Sequence, residues 1–257
     1  MKTVAIVQAR MGSSRFPGKM LSPLRGRPLI AWTVERVRRA KTCDEVVVAT
    51  TDATADDEMA AWCGANEVAV FRGSEDDVLA RFHECAEAFD ATTVVRITGD
   101  CPLLDWRVID AVAQPCVADS AIDYATNCEP MTYPEGISAE AMPMRILKLM
   151  HICATLPSHR EHVTPYVRFA ADRFHHVAIR AEPSLSDVRL TVDYPEDLLM
   201  IEQLVAELAD RGILETADVF QVVGTLQRHP DIAKALGLQQ RDLWRQEVAR
   251  DEQRKAA

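Results

Sequence analysis

Apolar, β-branched runs recur through the first part of the chain at Thr3–Val7, Glu45–Thr50, Glu67–Phe71 and Thr93–Ile97. Between them, at about 28–40, 55–63 and 76–88, apolar residues fall at helical spacing. The alternation reads βαβαβαβ. Short, continuously apolar strands joined by amphipathic helices predict an α/β fold: a parallel sheet covered on both faces, with ligands beyond the carboxyl ends of its strands. After Asp105 the order loosens. A helix is expected at Trp106–Ala113, strands at Asp123–Asn127 and Gly136–Ala141, and helices at Arg145–Ala154 and His159–Phe174. Strands at His176–Arg180 and Arg189–Val192 follow, then helices at Leu198–Asp210 and Ala217–Gln227. The run Arg241–Lys255 is dense in both charges and reads as a solvated helix or frayed tail to which no chemistry is assigned.

The turn after the first strand, Gln8–Leu21, reads QARMGSSRFPGKML. Small residues there free backbone N–H groups, and Arg10, Arg15 and Lys19 add cations, which together suit a polyphosphate. The spacing is not a P-loop, since Met20 follows Lys19 where a hydroxyl is required, and GxGxxG is absent. The competing reading is an ordinary strand-to-helix turn with solvated arginines. Charge distribution favours the cradle: residues 1–41 carry ten Lys or Arg against one acid, Glu35, in a chain of net charge −10. So local a basic cluster fits a small anionic ligand better than a nucleic acid.

Two further strands end in acids. Arg96-Ile97-Thr98-Gly99-Asp100-Cys101-Pro102 places Asp100 at the sheet edge where the cradle also sits, and Arg189-Leu190-Thr191-Val192-Asp193-Tyr194-Pro195 does the same with Asp193. Mg²⁺ bound to a phosphate needs one or two carboxylates besides phosphate oxygens and water. Otherwise Asp100 is a turn-former before proline and Asp193 a helix cap, a role compatible with ligation.

With 257 residues, 48% of them hydrophobic, the chain can bury a large core, and no composition break divides it. It has no apolar stretch near the roughly 20 residues of a membrane span and no leader pattern at its start, so a cytoplasmic protein without a membrane partner is expected. Seven cysteines, never closer than 12 positions, form neither metal pairs nor a disulfide cluster and read as reduced, mostly core thiols.

In this order, the segments QARMGSSRFPGKML, VFRGSEDDVLARF, RITGDCPLLD, REHVTPY and RLTVDYPEDL resemble the cytidylyltransferases of the spore-coat-polysaccharide type, relatives of acylneuraminate and 3-deoxy-manno-octulosonate cytidylyltransferases. The resemblance spans about residues 1–200. It implies a Rossmann-like three-layer α/β/α nucleotidyltransferase (GT-A-like) fold with a mostly parallel sheet, CTP as donor, Mg²⁺ as cofactor and a homodimer. Within one domain, 1–257, residues 1–110 would form the nucleotide-binding half, 111–200 the acceptor and dimerisation part with the second metal acid, and 201–257 C-terminal helices.

By the same resemblance, Ala9, Arg10, Ser13, Ser14, Arg15, Lys19, Thr98 and Asp100 would hold the nucleotide. Arg72, Gly73 and Ser74 would lie near cytosine and ribose, although Ser74 equally reads as a helix N-cap. Asp100 and Asp193 would hold Mg²⁺. An acceptor oxygen would attack the α-phosphorus of CTP while Arg15 and Lys19 stabilise the departing pyrophosphate, with Asp100 the third catalytic residue and no covalent intermediate. A small anionic acceptor, such as a sugar acid, would meet Glu140 and Arg160 or His162, a segment that in related families faces either the acceptor or the dimer partner. His159 and His162 alone are a weak metal pair and read as structural. Where the family commonly has Gly-Leu-Asp-Val-Glu, this chain reads Gly136-Ile137-Ser138-Ala139-Glu140, so Ser138 replaces an acid and hints at a different acceptor, while Glu140 would orient a hydroxyl or make only a buried salt bridge. Two other functions stay open: a GT-A-like glycosyltransferase, whose usual Asp-x-Asp is missing at Gly99-Asp100-Cys101, and a nucleotide-binding protein without turnover.

Overall fold

The computed structural model describes residues 1–236 and 243–256. Its strands are β1 (Thr3–Gln8), the short pair β2 (Pro23–Leu24) and β3 (Arg27–Pro28), β4 (Glu45–Thr51), β5 (Ala69–Gly73), β6 (Thr93–Thr98), β7 (Tyr124–Thr126), β8 (Glu140–Pro143) and β9 (His176–Ala178). The main sheet has the order β5-β4-β1-β6-β8-β7-β9. Strands β5, β4, β1 and β6 are parallel, β8 runs against both β6 and β7, and β9 is parallel to β7. Gln8 pairs with Thr98, so the carboxyl ends of β1 and β6 lie side by side.

Period-two alternation divides the core. On β1, Val4 and Ile6 enter one cluster and Ala5 and Val7 the other. The second cluster receives the apolar faces of α1 (Leu29–Val37), α2 (Asp57–Ala65), α4 (Trp106–Ala118), α8 (Pro195–Asp210) and α9 (Val219–Leu226). The first receives α3 (Val78–Ala88), α5 (Met144–Cys153) and α7 (Pro165–Arg168). Helix starts are chemically specified: Asp77 caps α3 by accepting from Ala80 N at 2.9 Å, and Asp105 caps α4 through Arg107 N at 2.9 Å. The result is the expected three-layer α/β/α arrangement around a mostly parallel sheet. Among the described residues no helix is long and apolar enough to cross a membrane.

Three expectations differ in detail. The long helix 159–174 is two short ones, α6 (Pro157–His162) and α7, because Val163 adopts φ 68° and Pro165 cannot continue the ladder. Arg189–Val192 is extended but is not a strand of the sheet; among the described residues its bridge joins Arg189 to Glu135. That crossing is close enough that a Cβ on Gly136, at φ 97°, would stand 2.7 Å from Leu190 C. Helix α4 runs past Ala113 to Ala118 although Pro115 lies inside it and brings no backbone N–H to the ladder. After α10 (Pro230–Leu236), the charged C-terminal run forms α11 (Leu243–Ala256), with Arg241 and Asp242 outside the described residues.

Candidate active site

The turn leaving β1 is held in shape by its own backbone. Ser13 N and Gly18 N both donate to Met11 O, at 2.9 and 3.0 Å, and Met11 N donates to Asp56 Oδ1 at 2.6 Å. Gly18 takes φ 75°, turning the chain into a single 3₁₀ turn, Lys19–Leu21, that buries Lys19. The turn forms one wall of a cavity of about 560 Å³ at the carboxyl ends of β1 and β6. Ala9, Arg10, Ser13, Ser14, Arg15, Lys19, Thr98, Asp100 and Asp193 all line it.

Lys19 sits at its base. Its Nζ is 2.8 Å from Asp100 Oδ2, 3.2 Å from Asp193 Oδ1 and 2.8 Å from Val192 O. Asp193 also meets Arg15 Nη2 at 2.6 Å and Arg189 Nη2 at 2.7 Å. Burial works against the Lys19 charge, but the two carboxylates outweigh it and hold its pKa above the ordinary lysine value. For Asp100, burial pushes upward, but Lys19 together with hydrogen bonds from its own backbone and from Thr98 outweighs it, so its pKa is below the usual carboxylate range. Asp100 is therefore charged at neutral pH, and the one Lys19 cation lies within reach of both acids.

Asp193 does not cap α8. Asp197 does this from inside the first turn, accepting from Asp193 N and Tyr194 N at 2.9 and 3.0 Å while bonding Arg189 Nη1 at 2.9 Å. This leaves the Asp193 carboxylate turned to the cavity. Arg189, 2% exposed, thus fixes both acids of that turn.

A second chamber of about 240 Å³ adjoins the first, and Arg96, Thr98, Asp100, His162 and Asp193 line both. Glu140 is buried beneath it, bonded by Arg96 and by the Tyr124 hydroxyl, with Arg168 Nη1 at 3.7 Å. Burial would raise its pKa, but Arg96 and Arg168 lower it below the ordinary glutamate value. Ser138 and Thr191 add hydroxyls to the lining; the Thr191 Oγ1 is buried with no hydrogen-bond partner among the described residues. Cys101 also lines this chamber, yet burial and then Asp100 push its thiol well up, which leaves it a poor nucleophile.

Four expected site residues lie elsewhere. Arg72 is engaged by Thr51 O and Ala53 O, both at 2.9 Å, and by Asp57 at 2.7 Å. Gly73 pairs with Thr51 inside the sheet, and Ser74 accepts from Asp77 N at 3.0 Å, the capping alternative. Arg160 clamps Asp77, with Nε 3.0 Å from both carboxylate oxygens, and donates to His151 O at 2.7 Å. These ties stitch α2, α3 and α6 to the sheet, and none of the four lines either chamber. Conversely, Arg96, Arg168 and Arg189 belong to the site without having been singled out. Arg96 and Arg189 stand as lone charges inside apolar runs, which is a readable signal because a buried charge needs a partner.

A family model described as Cytidylyltransferase matches residues 4–221. The chain belongs to the cytidylyltransferase family. As a cytidylyltransferase it is a nucleotidyltransferase, which sets aside the glycosyltransferase alternative that its missing Asp-x-Asp already weakened. It is similar to the spore coat polysaccharide biosynthesis protein SpsF of Bacillus subtilis, with 34% identity over 235 residues, 89% of this chain and 95% of that protein. Among solved structures it is similar to a cytidylyltransferase from Leptospira borgpetersenii, at 29% identity and a TM-score of 0.85, covering 93% of this chain and 98% of that one. A CMP:2-keto-3-deoxy-manno-octonic acid synthetase complexed with CTP shares the fold at 21% identity, a TM-score of 0.60, and 80% and 99% coverage.

Proposed function

We propose that this cytidylyltransferase moves CMP from CTP to a small anionic acceptor, a sugar acid being the leading class, with release of pyrophosphate. The observation that carries the reading is the meeting of Lys19, Asp100 and Asp193 where the two chambers join. The larger chamber, with its arginines and turn, suits the triphosphate, and the smaller one suits the acceptor.

A divalent cation fits the donor set. Among the described residues no group of three or more His, Cys, Asp or Glu forms a metal cage, but Asp100 and Asp193 already share one cation, Lys19 Nζ. Two carboxylates completed by phosphate oxygens and water are what Mg²⁺ accepts. When bound, Mg²⁺ supplies charge neutralisation at the α-phosphate. Arg15 and Lys19, which meet the two acids, would turn toward the β- and γ-phosphates of CTP. The reaction then rests on alignment: the acceptor oxygen approaches the α-phosphorus from the smaller chamber, and pyrophosphate departs toward the turn.

Arg96 and Arg168 both face Glu140, and Arg168 Nε also lies 3.8 Å from Glu129; the two guanidinium groups line the smaller chamber, where they can meet an acceptor carboxylate. The name of the Bacillus relative supports surface polysaccharide synthesis as the setting. The test is pyrophosphate release with Mg²⁺ and each of four nucleoside triphosphates, screened against nonulosonic acids, phosphonates and phosphorylated sugars. CTP-selective release dependent on Asp100 is expected; equal rates with all four nucleotides would overturn it.

A further inference from the structure

Helix α11 lies beyond the span of the family match, 4–221, yet it reaches the active site. Trp244, in its first turn, lines both chambers, and Glu247, one turn on, lines the larger. The helix is fastened along its length. Trp244 stacks on Phe169 at 6.0 Å between ring centroids, and Arg168 lies 4.8 Å from its centroid. Glu247 meets His162 Nε2 at 2.9 Å, Arg245 meets Glu129 at 2.9 Å, Asp251 accepts from Ser158 N at 2.9 Å, and Val248 is buried at 2% exposure. Three of these anchors, His162, Arg168 and Glu129, lie on or next to the acceptor chamber. A charge-rich helix held so firmly over one end of a site does more than solvate a terminus.

We propose that α11 is the acceptor-side wall of the active site, with Trp244 as its specificity-determining residue, closing the junction of the two chambers to bulk water. This rests on the cytidylyl-transfer reading. In that reaction any oxygen beside the α-phosphorus competes with the acceptor. If water enters, its oxygen forms the new bond to the α-phosphorus as the bond to pyrophosphate breaks, its protons pass to solvent and phosphate, and CTP is lost as CMP. A large apolar ring at the junction excludes that water while leaving the triphosphate contacts of the turn untouched.

The experiment needs no knowledge of the acceptor. Full-length wild type, Trp244→Ala and Trp244→Phe are compared for Mg²⁺-dependent pyrophosphate release from CTP without acceptor, and for CTP affinity by calorimetry. Trp244→Ala is expected to raise hydrolysis about tenfold, the effect of admitting water at one position, with CTP affinity within about twofold. Trp244→Phe should stay near wild type. Unchanged or lower hydrolysis in a Trp244→Ala protein that still binds CTP would overturn the wall; so would loss of CTP binding in both variants, which would move Trp244 into the nucleotide site. Failure of wild type to bind CTP would instead sink the cytidylyl reading itself.

Discussion

Lys19 Nζ and Asp100 Oδ2 form a 2.8 Å ion pair between residues 81 positions apart. Lys19 is 6% exposed, so the pair is held in low dielectric, where removing one member leaves the other uncompensated. Lys19→Ala is expected to lower kcat by about 10²–10³, the scale of losing one preorganised charge, with KM for CTP changed only a few-fold. Steady-state pyrophosphate release measures both. A change confined to the acceptor KM would remove Lys19 from leaving-group stabilisation.

The same pair gives a pH signature. The raised pKa of Lys19 means its contribution is complete below about 10.4 and lost as pH rises through the still higher folded value. The lowered pKa of Asp100 means its contribution is complete above about 3.9 and lost as pH falls through the lower folded value. Urea titrations of wild type and Lys19→Ala should show a gap of about 3 kcal/mol at pH 7 that narrows toward acid pH, because Asp100 without its cation keeps the burial that pushes its pKa up and takes a proton more readily. A gap of the same size at pH 4 and pH 7 would show that the pair is not charged as described.

Glu140 also predicts a contribution that fades at acid pH. Its carboxylate balances Arg96 and Arg168 from full burial, so Glu140→Gln should cost about 3 kcal/mol at pH 7. Because its folded pKa is lowered, that contribution is present above about 4.3 and fades as pH falls through the folded value. Urea midpoints of the two proteins should converge toward pH 3. Midpoints equally far apart at both pH values would mean the charge of Glu140 is not what stabilises the fold.

How far the sequence could be read follows from where the signal is local. The four parallel strands and their helices were legible because each buries its own apolar run, as Val4 to Val7 do on β1. Asp100 was legible for the same reason, since topology sets the ends of β1 and β6 side by side, whereas Asp193 ends no strand of the sheet and is delivered by the segment whose Val192 N donates to Asp100 O at 3.0 Å. The break at Val163 was not, since a β-branched residue at φ 68° is imposed by tertiary contacts rather than propensity. Arg72 and Arg160 look like ligand-binding cations in sequence, and only coordinates reveal that Asp57 and Asp77 occupy them. Helix α11 offered little, because it docks through Trp244, buried Val248 and ion pairs instead of a continuous apolar stripe.

Gly136 tests the crossing that delivers Asp193. Any side chain there must adopt φ 97° and meets Leu190 C at 2.7 Å and Thr191 N at 2.8 Å, both backbone atoms that cannot rotate away. Gly136→Ala is expected to destabilise by about 2–3 kcal/mol through strain and to push the 190–193 segment off its place. Thermal unfolding and the Mg²⁺ dependence of turnover should worsen together. A variant with wild-type midpoint and activity would show that the two segments are not tightly apposed.

Ligation and support are separable at Asp193 and Arg189. Chelation by EDTA should abolish pyrophosphate release and added Mg²⁺ restore it, and Asp193→Asn should leave little activity at any Mg²⁺ concentration. Arg189 touches Asp193 at 2.7 Å and Asp197 at 2.9 Å but does not line the nucleotide cavity. Its role is to hold the acid still. Arg189→Met should therefore raise the Mg²⁺ needed for half-maximal activity by about tenfold, as loss of an orienting partner does elsewhere, while saturating metal recovers much of kcat. Metal titrations at fixed CTP distinguish the two variants. If Arg189→Met were as inactive as Asp193→Asn at every Mg²⁺ concentration, the arginine would have to act on the substrate directly, and the division between metal-holding acids and supporting cations would be wrong.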